Sequence, residues 1–144
     1  MNINESIRDW INHRRKDFPQ LSAIQLATSG EESDVAPPFL GIFETGSQMH
    51  EQGGVTMYGV SVIEVTCELH TVPVGDEEGG TEAVTEREWR KQFYDILGDR
   101  AAIKWICDRN EWRVFDIRLS APTTESEEGQ RISRFILSVT ACPL

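Results

Sequence analysis

The chain has 144 residues and carries 14 Lys and Arg against 24 Asp and Glu, a net charge of −10. With 39% hydrophobic and 26% charged residues it has the balance of one globular domain with one core, not of a disordered tract. No apolar run approaches the roughly 20 residues that span a bilayer, and residues 1–5 lack the basic start and apolar stretch of a secretory signal, so a cytoplasmic chain is expected. Acidity of this size disfavours phosphate backbones as ligands.

In chain order, Ile3, Ile7, Trp10 and Ile11 fall on one helical face, which predicts a first helix over residues 4–17, with Asn2 and Glu5 as a capping pair and Phe18-Pro19 as the stop. Arg14, Arg15 and Lys16 occupy its last turn, where cations complement the helix dipole or offer a contact surface. A short apolar piece, residues 21–27, precedes an acidic loop holding Glu31, Glu32 and Asp34. Pro37-Pro38 then introduces the apolar run Phe39-Leu40-Gly41-Ile42-Phe43, read as a buried strand.

Gly53-Gly54 marks a turn before a long strand over residues 55–72. Val65, Cys67 and Leu69 share one parity while Val60 and Val62 have the other, which predicts a bulge or twist near Ile63-Glu64. A second acidic loop follows, with Asp76, Glu77, Glu78, Glu82, Glu86 and Glu88 against Arg87. Thr85 and Glu88 match a capping box ahead of Trp89, Phe93, Ile96 and Leu97, so a helix over residues 86–98 is expected, closed by Gly98. Residues 99–107 read as a short helix with Trp105 off its apolar face, residues 112–119 as a strand, and residues 134–143 as a closing strand in which Phe135, Leu137, Val139 and Ala141 alternate with polar neighbours. Between these two strands lies a third acidic loop with Glu125, Glu127 and Glu128. The three acidic segments together carry −11, leaving the rest of the chain at +1. They either keep the chain soluble or meet a partner. The order predicts a single α+β domain, residues 1–144, with an antiparallel twisted sheet and two main helices packed on one face.

Chemical signatures are sparse. The chain has no GxGxxG, phosphate loop, HExxH or GxSxG. Cys67 and His70 have the spacing of a metal pair but opposite strand parity, so they are expected on opposite faces, and Cys67, Cys107 and Cys142 read as structural thiols. Glu64 and Glu68 read as solvent-facing strand residues. Trp10 and Trp89 read as core, while Trp105 and Trp112 break their local patterns and are either core or interface anchors.

Taken together, the starting helix of residues 3–16, the strand from Pro37 to Glu44, the long strand of residues 60–72, the acidic Gly-rich loop, the helix of residues 86–98 and the strands of residues 114–119 and 134–143 resemble the tail terminator (tail completion) proteins of long-tailed bacteriophages, the λ-like fold that caps the tail tube. The resemblance implies a structural virion protein without catalytic residues, cofactor or metal, built in the host cytoplasm as a hexameric ring. Its implied partners are further copies of itself, the major tail tube protein and a head–tail connector, with DNA passing through the lumen unbound and no membrane contact. Arg14, Arg15, Lys16, Asp76, Glu77, Glu78, Trp105, Trp112, Glu125, Glu127 and Glu128 are the interface candidates. A different class stays open: a ligand-binding or lyase-type domain with its pocket between the helix of residues 86–97 and the sheet. So does an adaptor that binds a peptide at a sheet edge.

Overall fold

The structure, a computed structural model, describes residues 2–28, 35–52, 55–72, 81–127 and 129–144. Helix α1 (Ile3–Arg14) buries the predicted stripe Ile3, Ile7, Trp10 and Ile11, and its last turn tightens into a 3-10 turn, Arg15–Asp17, before Pro19 opens another, Pro19–Ala23. Strand β1 (Gln25–Thr28) lies where only an apolar piece was expected. Strands β2 (Phe39–Gln52) and β3 (Val55–Thr71) form a long hairpin.

Helix α2 (Thr81–Leu97) starts upstream of the expected capping box, so Thr85 and Glu88 are interior helix residues and Glu86 is no loop residue. Its buried face holds Glu86, Phe93, Ile96 and Leu97. The helix ends at Gly98, where a Cβ would stand 3.1 Å from the Tyr94 carbonyl. Helix α3 (Ala101–Asp108) begins with the Ala101 N–H donating to the Asp99 carboxylate at 2.9 Å. It ends at Asn110 in the left-handed region (φ 61°), a common helix stop. Strands β4 (Trp112–Leu119), β5 (Thr123–Glu127) and β6 (Gln130–Pro143) follow.

These elements make an α+β domain with a mixed, mostly antiparallel six-strand sheet contacted by three helices. The strand order is β1-β2-β3-β6-β4, with β5 also on β6. The sheet departs from the expected all-antiparallel form at one edge, where the short β1 runs parallel to β2. Along the free side of β6, β4 pairs with its second half and β5 with its first, and the Ser120 N–H donates to the Ile136 carbonyl at 3.0 Å across the break between them. Glu125 therefore sits in a strand, not in the acidic loop predicted there.

Pairing of β3 with β6 is continuous from Ser61↔Ala141 to Thr71↔Arg131. The expected bulge falls at the right level but in the neighbouring strand: Thr45 of β2 is the extra residue opposite Val65 and Glu64. Since β3 does not change phase there, Val62 shares a face with Glu64, Thr66, Glu68 and His70. The other face carries Leu40, Ile42, Ile63, Val65, Cys67, Leu69, Phe135, Leu137, Val139 and Ala141, all in one buried cluster with Ile7, Phe93, Ile96 and Ile106 of the three helices. Trp10 joins that cluster and donates its indole N–H to the Ile96 carbonyl at 3.0 Å, tying α1 to α2.

Candidate functional site

With the helices on one side, the site candidates lie on the opposite sheet face, on the edges and in the seam between α1 and α3. At one end of the uncovered face, strand register sets Glu68 opposite Arg134 and His70 opposite Ile132. Arg134 Nε donates to Glu68 at 2.7 Å and its Nη1 pairs with Glu125 of β5. Those two carboxylates, Glu125 foremost, hold the Arg134 guanidinium above its ordinary pKa. The His70 ring stacks on Phe39 with centroids 4.4 Å apart, and its nitrogens lie 3.1 Å from Glu68 Oε1 and 3.1 Å from Gln130 Oε1. Both ring nitrogens are thus engaged, an arrangement that cross-braces β3, β5 and β6 and leaves neither nitrogen directed at a substrate position.

Phe39 owes its stacking partner to its register with His70, and Phe43 lies over the next position because Gly41 has no side chain: a Cβ there would meet the Phe43 ring at 2.5 Å. Cys67 is in the core on the far side, as its parity predicts, and burial pushes its thiol up to about 12.

The middle of the uncovered face is a trough. One hollow of about 250 Å³ is lined by Gly46, Ser47, Gln48, Val62, Glu64 and Ser138. The next, about 440 Å³, shares Val62 and Ser138 and reaches Thr140, Phe115, Asp116 and Arg118 at the β4 edge. Phe115 is the bulged residue of β4, between the pairs Val114↔Ala141 and Asp116↔Thr140, and is 53% exposed. Beside it Asp116 accepts from Arg100 at 3.0 Å and Arg118 at 2.9 Å, and these two bonds hold its carboxyl below the usual carboxylate range.

On the helix side, a groove of about 440 Å³ between α1 and α3 brings together Arg14 and Trp105 of the predicted interface residues, with Trp10, His13, Asp99 and Lys104. The His13 ring stacks on Trp105 at 5.2 Å and Arg109 lies 4.8 Å over the same indole. Arg14 bridges Asp17 at 2.6 Å and Asp99 at 3.2 Å, so the groove's cations are already matched by its carboxylates.

The predicted basic cluster divides between two hollows, Arg14 in the α1–α3 groove and Arg15 with Lys16 in another shared with Asn12 and Ser22. Arg15 turns away to donate to the Ile24 carbonyl at 2.7 Å, while Lys16 is exposed. Trp112 is half-buried against the core and pairs with Pro143. Glu125 belongs to the Arg134 network, Glu127 is in β5, and Asp76, Glu77, Glu78 and Glu128 lie outside the described residues, as do Glu31, Glu32, Asp34 and Gly53-Gly54. Sequence reasoning missed Phe115, although a signal existed: Val114 and Ile117 are both buried yet differ in parity, the mark of a bulge. No family model matches the chain, and no match arises among curated proteins.

Proposed function

We propose that this chain is a structural component of a bacteriophage tail or neck, most simply the tail terminator that closes into a ring on the tail tube and joins it to the head connector. One observation carries the reading: the helices occupy a single sheet face, which leaves an open face and two sheet edges, that of β2 beyond its short partner β1 and the outer edges of β4 and β5. Head-to-tail pairing around a rotation axis satisfies both edges in every copy at once. The element order also matches the pattern on which the resemblance to tail terminators rests. Where a ligand-binding domain would need its pocket, between α2 and the sheet, Phe93, Ile96, Phe135 and Leu137 are fully buried together.

Charge opposes closure, since six copies at −10 each carry −60. Ring formation therefore strengthens as salt shortens the Debye length from about 10 Å to about 3 Å. Light scattering of the purified chain across a salt series tests this, with a rise from monomer to a closed ring of about six copies expected. A chain that stays monomeric at high protein and salt concentration, and that neither a tail tube nor a connector protein assembles, overturns the reading and restores the ligand-binding alternative.

A further inference from the structure

Paired residues cross the sheet in rows that begin on β1 and end on β5. Gln25 pairs with Phe39, Phe39 with His70, His70 with Ile132 and Ile132 with Glu125. Two residues along, Ala27, Gly41, Glu68, Arg134 and Thr123 form a second such row. The outermost strands on the two sides of the sheet therefore stand at the same level there. Their directions match as well. Strand β1 runs parallel to β2, β2 and β6 are each antiparallel to β3, and β5 is antiparallel to β6, so β1 and β5 run in opposite senses. A second copy set beside the first in the same orientation, with no shift along the strands, lays its β5 antiparallel to β1, with Glu125 opposite Gln25 and Thr123 opposite Ala27.

The remaining edge segments fit less well. Because β4 and β5 lie end to end along β6, a copy whose β4 lay on β2 at the same level would set its β5 where β1 already stands. Strand β4 is also engaged from outside at Val114, whose N–H donates to Cys107 Sγ at 3.3 Å and whose carbonyl accepts from that thiol at 3.6 Å. Among the described residues, no backbone hydrogen bond reaches β5 except from β6.

Charge favours the same joint. Strand β5 carries Glu125 and Glu127, and the Glu125 side chain stays 54% exposed beside Arg134. Laid antiparallel on β1, β5 runs from Ala27 past Gln25 toward Ile24, whose carbonyl accepts from Arg15 at 2.7 Å, next to the exposed Lys16. The acidic strand of one copy thus approaches cations of the other, which offsets part of the repulsion between chains of net −10.

We infer that β5 of one copy adds to β1 of the next and extends the sheet across the joint. Each copy gives one edge and receives the other, as head-to-tail closure requires. Strand β2 beyond Ile42 and the neighbour's β4 are left facing each other across the width of one strand. This inference rests on the ring reading above and names which strands engage.

The full-length double variant Gln25→Cys with Glu125→Cys tests it. Opposed residues of antiparallel strands have Cα atoms about 4.5–5.5 Å apart, within the span of a disulfide. Under conditions in which the unaltered chain forms rings, mild oxidation is expected to give a ladder of covalent oligomers ending at the ring, with cross-linking at least about tenfold above that of the unaltered chain and of either single variant. Circular dichroism and melting confirm folding, and Ala27→Cys with Thr123→Cys takes over if the first pair does not fold. Gln48→Cys with Glu125→Cys reports the competing joint, in which β5 lies staggered along β2 beyond β1. Rings that cross-link through positions 48 and 125, or through none of these pairs, overturn the β1–β5 joint while leaving the ring reading in place. An unaltered chain that never assembles overturns both.

Discussion

Glu86 of α2 and Arg131 of β6 form an ion pair across the joint between helix and sheet, with Glu86 only 4% exposed on the helix's buried face. Removing the cation leaves that carboxylate without its partner inside the fold. Arg131→Met is expected to cost about 2–3 kcal/mol, below the range for a fully enclosed pair because Arg131 keeps a third of its side chain in water. Urea titration measures it, and a loss below about 0.5 kcal/mol would mean that the pair does not hold the helix.

Phe93 and Phe115 separate packing from presentation. Phe93 is fully buried, and Phe93→Ala is expected to cost about 3–5 kcal/mol. Phe115, 53% exposed, should change stability by no more than about 0.5 kcal/mol when truncated. Equal losses in paired denaturant titrations would contradict the assignment of the two rings to core and surface.

Asp116 supplies a pH dependence. Its hydrogen bonds from Arg100 and Arg118 depress its pKa below the ordinary 3.8, so folding holds its proton less tightly than the unfolded chain does. That contribution is complete above about pH 5 and is lost as pH falls through 3.8 toward the depressed folded value. Melting curves of the unaltered chain and Asp116→Asn from pH 7 downward should differ at neutral pH and converge in acid. Curves that diverge in acid would refute the sign.

The thiols differ in access. Cys67 is fully buried with its pKa raised from 9.0 to about 12, whereas Cys107 and Cys142 are half-buried. A thiol reagent at pH 8 should titrate at most two cysteines in the folded chain and all three after denaturation. Because the folded pKa is the higher one, stability is unaffected below pH 9 and falls as pH rises from 9.0 toward 12, a loss that Cys67→Val should remove. Three rapidly reacting thiols in the folded chain would place Cys67 outside the core.

Local periodicity carried the fold a long way. Ile3, Ile7, Trp10 and Ile11 announce α1 because one stripe must be buried, and Phe135, Leu137 and Val139 announce β6 because alternate residues face the helices. Strand β5 was hidden for the converse reason: Thr123 to Glu127 is polar at both parities, and its pairing with β6 is the only thing that makes it a strand. Thr85 and Glu88 formed a locally perfect cap, overridden because the helix continues upstream to Thr81. The candidate site was less legible still. Glu68 meets Arg134 across 66 positions of sequence, and only the register of β3 on β6 brings them together.

That same register governs how the chain reaches its native state. The central strands β3 and β6 join residues 60 positions apart at Thr71↔Arg131 and 80 apart at Ser61↔Ala141. Closing such loops costs entropy before any pairing repays it. Folding is therefore paced by a search over distant segments, on a timescale of about milliseconds to seconds, and until β6 docks the edge of β3 away from β2 has no strand beside it. An emerging chain is accordingly most prone to aggregate in the interval between making β3 and making β6.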